Sequence, residues 1–126
     1  MIKGIESILV GSPSATKLAK FYRETVGLKQ TMEMEMGEKG EMVYGFETKG
    51  AMFVVLDHSK VKTKSKQPDR IIVNFEVDDI KKEVARMKKA KVKVKSEIYH
   101  VEGYGLIATF ADVDGNLFQF VQIKSN

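Results

Sequence analysis

The chain carries its own pattern twice. When residue n is laid over residue n+65 without a gap, Gly50 falls on Gly115, Phe53 on Phe118 and Leu56 on Val121. Gly40 then falls on Gly105 and Glu47 on Asp112, and the apolar positions of two helical segments also superpose: Ala15 on Ile80, Ala19 on Val84, Tyr22 on Met87. A period of this length is a whole supersecondary unit rather than a solenoid repeat, and two copies fill the 126 residues. The expected organisation is a single domain, 1–126, made of modules 1–58 and 70–126 joined by a polar linker, 59–69, rich in lysine and closed by Pro68.

Each module reads as β-α-β-β-β. In the first, Ile2–Val10 is a strand ended by Gly11, and Ser12-Pro13 starts a helix with a capping hydroxyl and a proline in the first turn. That helix runs to about Val26, burying Ala15, Leu18, Ala19 and Tyr22, and Gly27 ends it. Strands follow over Leu28–Met36, Glu41–Thr48 and Ala51–His58. In the second module, Arg70–Val77 is a strand and Asp78 caps a helix that buries Ile80, Val84 and Met87. Strands over Val92–Tyr99, Tyr104–Ala111 and Asn116–Ile123 complete it.

Composition narrows the possibilities. A hydrophobic content of 43% supplies a core, no run reaches the length of a membrane span, and the start lacks a signal-peptide layout, so a cytoplasmic protein is expected. Zero cysteines exclude disulfides, thiolate metal sites and a cysteine nucleophile. The net charge is +4, with lysines at alternate positions in Lys60–Lys66 and Lys91–Lys95. Without interleaved aromatics or arginines these read as a solvated loop and the polar side of an edge strand, so a nucleic-acid partner is disfavoured.

The residues that punctuate this pattern resemble a known group. Phe21-Tyr22-Arg23-Glu24-Thr25-Val26-Gly27-Leu28 closing the first helix, Phe75-Glu76-Val77-Asp78-Asp79 entering the second, and Asp112-Val113-Asp114-Gly115-Asn116 before the last strand look like the glyoxalase/bleomycin-resistance/dioxygenase group, the vicinal oxygen chelate superfamily. The resemblance implies an α+β fold of two tandem βαβββ modules forming a curved mixed sheet around a cavity. It also implies a homodimer. Enzymes of the group hold a divalent metal at one position on the first strand and one on the fourth strand of each module. By spacing, those positions are Ser7, Val54, Ile72 and Gln119 here. Val54 and Ile72 have no donor atom and Ser7 and Gln119 are poor neutral ligands, so no metal and no other cofactor is expected.

Strand alternation extends the lining from those positions. If Ser7 and Ile72 face the cavity, so do Leu9 and Asn74; if Val54 and Gln119 do, so do Met52, Leu56, Leu117 and Val121. The result is an apolar surface whose polar contacts are Ser7, Asn74 and Gln119, the composition of a small-molecule pocket. The expected function is metal-free binding of a small, partly apolar molecule in a cavity between the sheets. The alternatives are a metal-dependent lyase, isomerase or dioxygenase of the same superfamily, and a structural or regulatory homodimer with a filled core. His58 and His100 occupy non-equivalent places and form no recognisable catalytic set, so catalytic residues stay unassigned. The stripe Met32, Met34, Met36 reads as core packing in preference to a ligand surface or an interface.

Overall fold

Both halves adopt the expected strand order. A computed structural model describes residues 1–124; Ser125 and Asn126, the end of the expected second module, lie outside the described residues. Two compact units result, Met1–Lys64 and Ser65–Asn126. The first contains β1 (Ser7–Ser12), α1 (Ala15–Lys20, continued by a π-helical turn, Phe21–Val26), β2 (Lys29–Met36), β3 (Glu41–Glu47) and β4 (Met52–Asp57). The second contains a 3₁₀ turn at Pro68–Arg70, β5 (Val73–Glu76), α2 (Ile80–Lys89), β6 (Lys93–Val101), β7 (Gly105–Ala111) and β8 (Leu117–Ile123). Among the described residues no helix is long and apolar enough to cross a membrane.

Each unit has its own four-stranded mixed sheet, ordered β1-β4-β3-β2 in the first and β5-β8-β7-β6 in the second. The outer pairs β1–β4 and β5–β8 are parallel and the remaining pairs antiparallel. One face of each sheet buries its helix. In the first unit Leu18 and Ala19 of α1 and Tyr22 of the π-helical turn are buried, as are Phe46, Phe53 and Val55 of the sheet, with the Tyr22 and Phe53 rings edge-on at 4.8 Å. In the second, Ile80, Val84 and Met87 of α2 are buried, and Phe110 and Phe118 stack with centroids 5.6 Å apart. Burial of aromatic and aliphatic side chains at this density is the main source of stability in units this small.

The helix starts lie later than the sequence suggests. Ser14 and Asp79, 65 residues apart, are the N-caps, accepting from the Lys17 and Lys82 amides at 3.4 and 3.2 Å. Ser12 instead accepts from the Ser14 amide at 3.0 Å, while β1 runs on through Gly11 to Ser12 because both residues still pair with β4. A second brace, also repeated at 65, joins each helix to its last strand. The Ala15 amide donates to Asp57 Oδ1 at 2.7 Å, and the Ile80 amide donates to Gln122 Oε1 at 2.9 Å. Asp57 Oδ2 additionally accepts from the Met42 amide at 2.9 Å. These side chains satisfy amides that a helix start leaves without an intrahelical acceptor.

The repeat is not uniform. In α1 the Gly27 amide donates to the carbonyl of Tyr22, five residues back, and Gly27 takes φ 96°. In α2 the Ala90 amide donates to Arg86, four residues back, and the left-handed residue is Lys91 at φ 61°. The π turn therefore holds one extra residue in the first unit. From there the units correspond at an offset of 64: Lys29 pairs with Glu47 as Lys93 pairs with Ala111. A longer turn before β8 restores 65, so that Met52 corresponds to Leu117. The superpositions of Gly40 on Gly105 and of Glu47 on Asp112 are thus not structural equivalences. The counterpart of Asp112, whose Oδ1 accepts from Asp114 and Asn116 at 2.9 and 3.0 Å, is Thr48, whose hydroxyl accepts from Gly50 at 3.0 Å.

Candidate functional site

The sheet face away from the helix holds the residues of interest, and the register arranges them in rows. In the first unit one row crosses all four strands: Leu9 beside Val54, Val54 beside Gly45, Gly45 beside Met32. Gly45 has no side chain, and Met32 and Met52 close over it; a Cβ built there would lie 3.2 Å from Met32 Cβ and Cε and 3.3 Å from Met52 Cε. Leu9 is 62% exposed although it sits on a strand. The row is wholly apolar.

The corresponding row of the second unit is wholly polar. Asn74 lies beside Gln119, Gln119 beside Thr109, and Thr109 beside Ser96. The Thr109 hydroxyl donates to Gln119 Oε1 at 2.7 Å, and Gln119 Nε2 donates to Asn74 Oδ1 at 2.7 Å. Thr109 is buried, Gln119 half-buried and Asn74 exposed, so the chain of hydrogen bonds leads from the interior outward. On the same face Ile107 pairs with Val121, and Ala111 with Leu117.

The structure brings most of the expected residues onto these faces. Ser7 pairs with Met52, two positions before Leu9 and Val54, and Leu56 pairs with Val43 two positions beyond. Asn74, Leu117, Gln119 and Val121 share the face in the second unit. Ile72 is the exception: β5 begins at Val73, so Ile72 has no partner in the sheet register. The methionine stripe also differs from its expected core role, because Met34 and Met36 are 52% and 42% exposed. Strand alternation within Gly105–Ala111, with Phe110 turned to the helix side, marks Thr109 as facing the other way, and the same parity beside Phe46 marks Gly45.

His58 borders an open hollow of about 300 Å³ lined also by Met36, Glu41, Leu56 and Asp57. Its Nδ1 accepts from the Lys60 amide at 3.1 Å, which leaves the proton of a neutral ring on Nε2. His100 stands exposed on β6. Among the described residues no group of three or more His, Cys, Asp or Glu side chains converges as a metal site would require.

The sequence pattern of the glyoxalase/bleomycin resistance protein/dioxygenase superfamily matches residues 4–120. The chain belongs to this superfamily. Its fold is similar to that of TnmS3, an antibiotic binding protein from Streptomyces sp. CB03234, at 23% identity and a TM-score of 0.75, covering 98% of both chains. It is also similar to the fosfomycin resistance protein FosX from Listeria monocytogenes, at 17% identity and a TM-score of 0.74, covering 98% of this chain and 96% of the other. A third similar fold is the trypanothione-dependent glyoxalase I of Leishmania major, at 18% identity and a TM-score of 0.77, covering 96% and 87%. No curated protein matches the chain in sequence.

By the resemblance set out above, Ser7, Val54, Ile72 and Gln119 are the positions at which a metal-using member would carry its donors. These residues do not fit a divalent ion. Val54 and Ile72 offer hydrocarbon, and the Gln119 oxygen already accepts from Thr109. A hydroxyl and a committed amide are a poor substitute for imidazole and carboxylate. No step through a metal is derived from them.

Proposed function

We propose that this superfamily member binds a small, partly apolar molecule on the helix-distal faces of its sheets, without a metal, and acts as a binding protein rather than an enzyme. The observation that carries this reading is that hydrocarbon, a hydroxyl and an amide stand at the four positions where the resemblance implies metal ligands, with an ordered polar row remaining on one sheet. Apolar walls with a few orienting polar groups suit a small organic ligand. The similarity to an antibiotic binding protein supports the same reading. Leu9 and Met34, exposed on the edge strands β1 and β2, support a homodimer, to be checked by light scattering.

The deciding measurement is elemental analysis of untagged protein together with melting curves. The expected result is no stoichiometric metal, no shift with Ni, Zn, Mn or Fe(II), and stabilisation by members of a panel of small apolar compounds. A ligand at a hundred times its Kd adds about 2.7 kcal/mol. Stoichiometric metal with a clear stabilisation would instead favour the lyase or dioxygenase reading.

A further inference from the structure

The repeat isolates one chemical difference between the two units. Leu9, Val54, Gly45 and Met32 in the first correspond to Asn74, Gln119, Thr109 and Ser96 in the second. The fold needs only an apolar or small side chain at these places, as the first unit demonstrates. The polar row of the second unit is therefore not a requirement of the architecture.

Its hydrogen bonds have a fixed direction. Gln119 Oε1 carries no proton, so the Thr109 hydroxyl must donate across their 2.7 Å contact. Asn74 Oδ1 is likewise only an acceptor, so Gln119 Nε2 must donate across the next 2.7 Å. Each amide oxygen is thereby engaged once. Both N–H bonds of Asn74 Nδ2, at the exposed end, have no protein partner among the described residues. The row thus runs from a buried hydroxyl to an exposed pair of donors.

We infer that the polar row of the second unit is a donor site, selecting apolar ligands that carry an acceptor oxygen such as a carbonyl over the matched hydrocarbons and over ligands that present only a protonated amine. This rests on the small-molecule reading above and names its ligand class. Asn74 makes the contact; Gln119 and Thr109 are positioning residues that hold the Asn74 oxygen inward. Ile107, Leu117 and Val121 on the same face form the apolar surround.

The test is a binding screen on the full chain by calorimetry. The probes are mono-, bi- and tricyclic aryl methyl ketones, each paired with the hydrocarbon in which a methylene group replaces the carbonyl oxygen and with the corresponding amine, protonated at pH 7. Asn74→Asp keeps the acceptor that Gln119 uses and removes both free donors, so it weakens ketone binding by about tenfold or more while leaving the hydrocarbons unchanged. Thr109→Val releases the Gln119 amide and narrows the preference of ketone over hydrocarbon, with a melting curve to confirm that the variant is folded. Equal affinity for ketone and hydrocarbon, a preference for the protonated amines, or ketone affinity unchanged by Asn74→Asp overturns the donor assignment and leaves the small-molecule reading standing. Failure of every probe to bind the native protein overturns both.

Discussion

At the scale of single residues, Gly40 and Gly105, one of the glycine pairs that the ungapped repeat superposes, have different work to do. Gly105 opens β7 at φ 146°, and a Cβ there would run into the carbonyl oxygen of Gln122 on the neighbouring strand. That obstacle is backbone held in a sheet, so it cannot swing aside. Gly40 lies in the β2–β3 turn at φ 75°, with only the Glu35 carboxylate 3.7 Å from its imagined Cβ. Gly105→Ala is expected to cost about 3 kcal/mol from overpacking and strain together. Gly40→Ala costs about 1 kcal/mol, the left-handed conformation alone. Urea unfolding of the two variants measures the difference, and equal losses would refute the distinction.

At the scale of elements, the extra residue of the first helix is the informative irregularity. In both helices the buried positions run through 15, 19, 22 and 80, 84, 87, and the surplus residue enters the first helix only after Tyr22. Deleting Glu24, an exposed residue whose carboxylate pairs with Arg23 at 3.1 Å, lets the π turn relax to an α turn like that of the second unit. The expected loss is below about 1 kcal/mol, since the surface pair contributes little. Deleting Ala85 has the opposite outcome. It rotates Met87, fully buried, about 100° away from Ile80 and costs several kcal/mol, the scale of removing a large core side chain. Melting temperatures of the two deletions, read by circular dichroism, check both statements.

At the scale of the whole molecule, charge is segregated along the chain. Residues 81–97 contain eight Lys or Arg and two Glu, a net +6, whereas the full chain is +4, so the remainder is −2 (4 − 6 = −2). Two of these cations are paired within the segment, Arg86 with Glu83 at 2.8 Å and Lys88 with Glu97 at 2.7 Å. Lys91, Lys93 and Lys95 are exposed at the start of the edge strand β6, where lysine opposes strand addition. Reversing all three to Glu takes the net charge from +4 to −2 (4 − 6 = −2). The protein is then expected to move from retention on a cation exchanger to retention on an anion exchanger at pH 7. Stability should change by less than about 1 kcal/mol, because these side chains fill no core.

The sequence by itself determined the two modules, their β-α-β-β-β order, the buried positions of both helices and the superfamily. Those follow from periodicity and punctuation, which are local and recur at fixed spacing. It also placed Asn74 and Gln119 on one face, because parity along a strand is local too. Only the tertiary structure decided the true offsets between the units, since compensating insertions in a helix and a turn leave an ungapped alignment looking intact. It decided that Asp57 and Gln122, at the ends of distant strands, cap the helix starts. It also decided that Ile72 falls outside the sheet and that Thr109 completes the row with Gln119 and Asn74. Cross-strand register is a relation between residues 10 to 45 positions apart in that row, and no pattern along one strand encodes it.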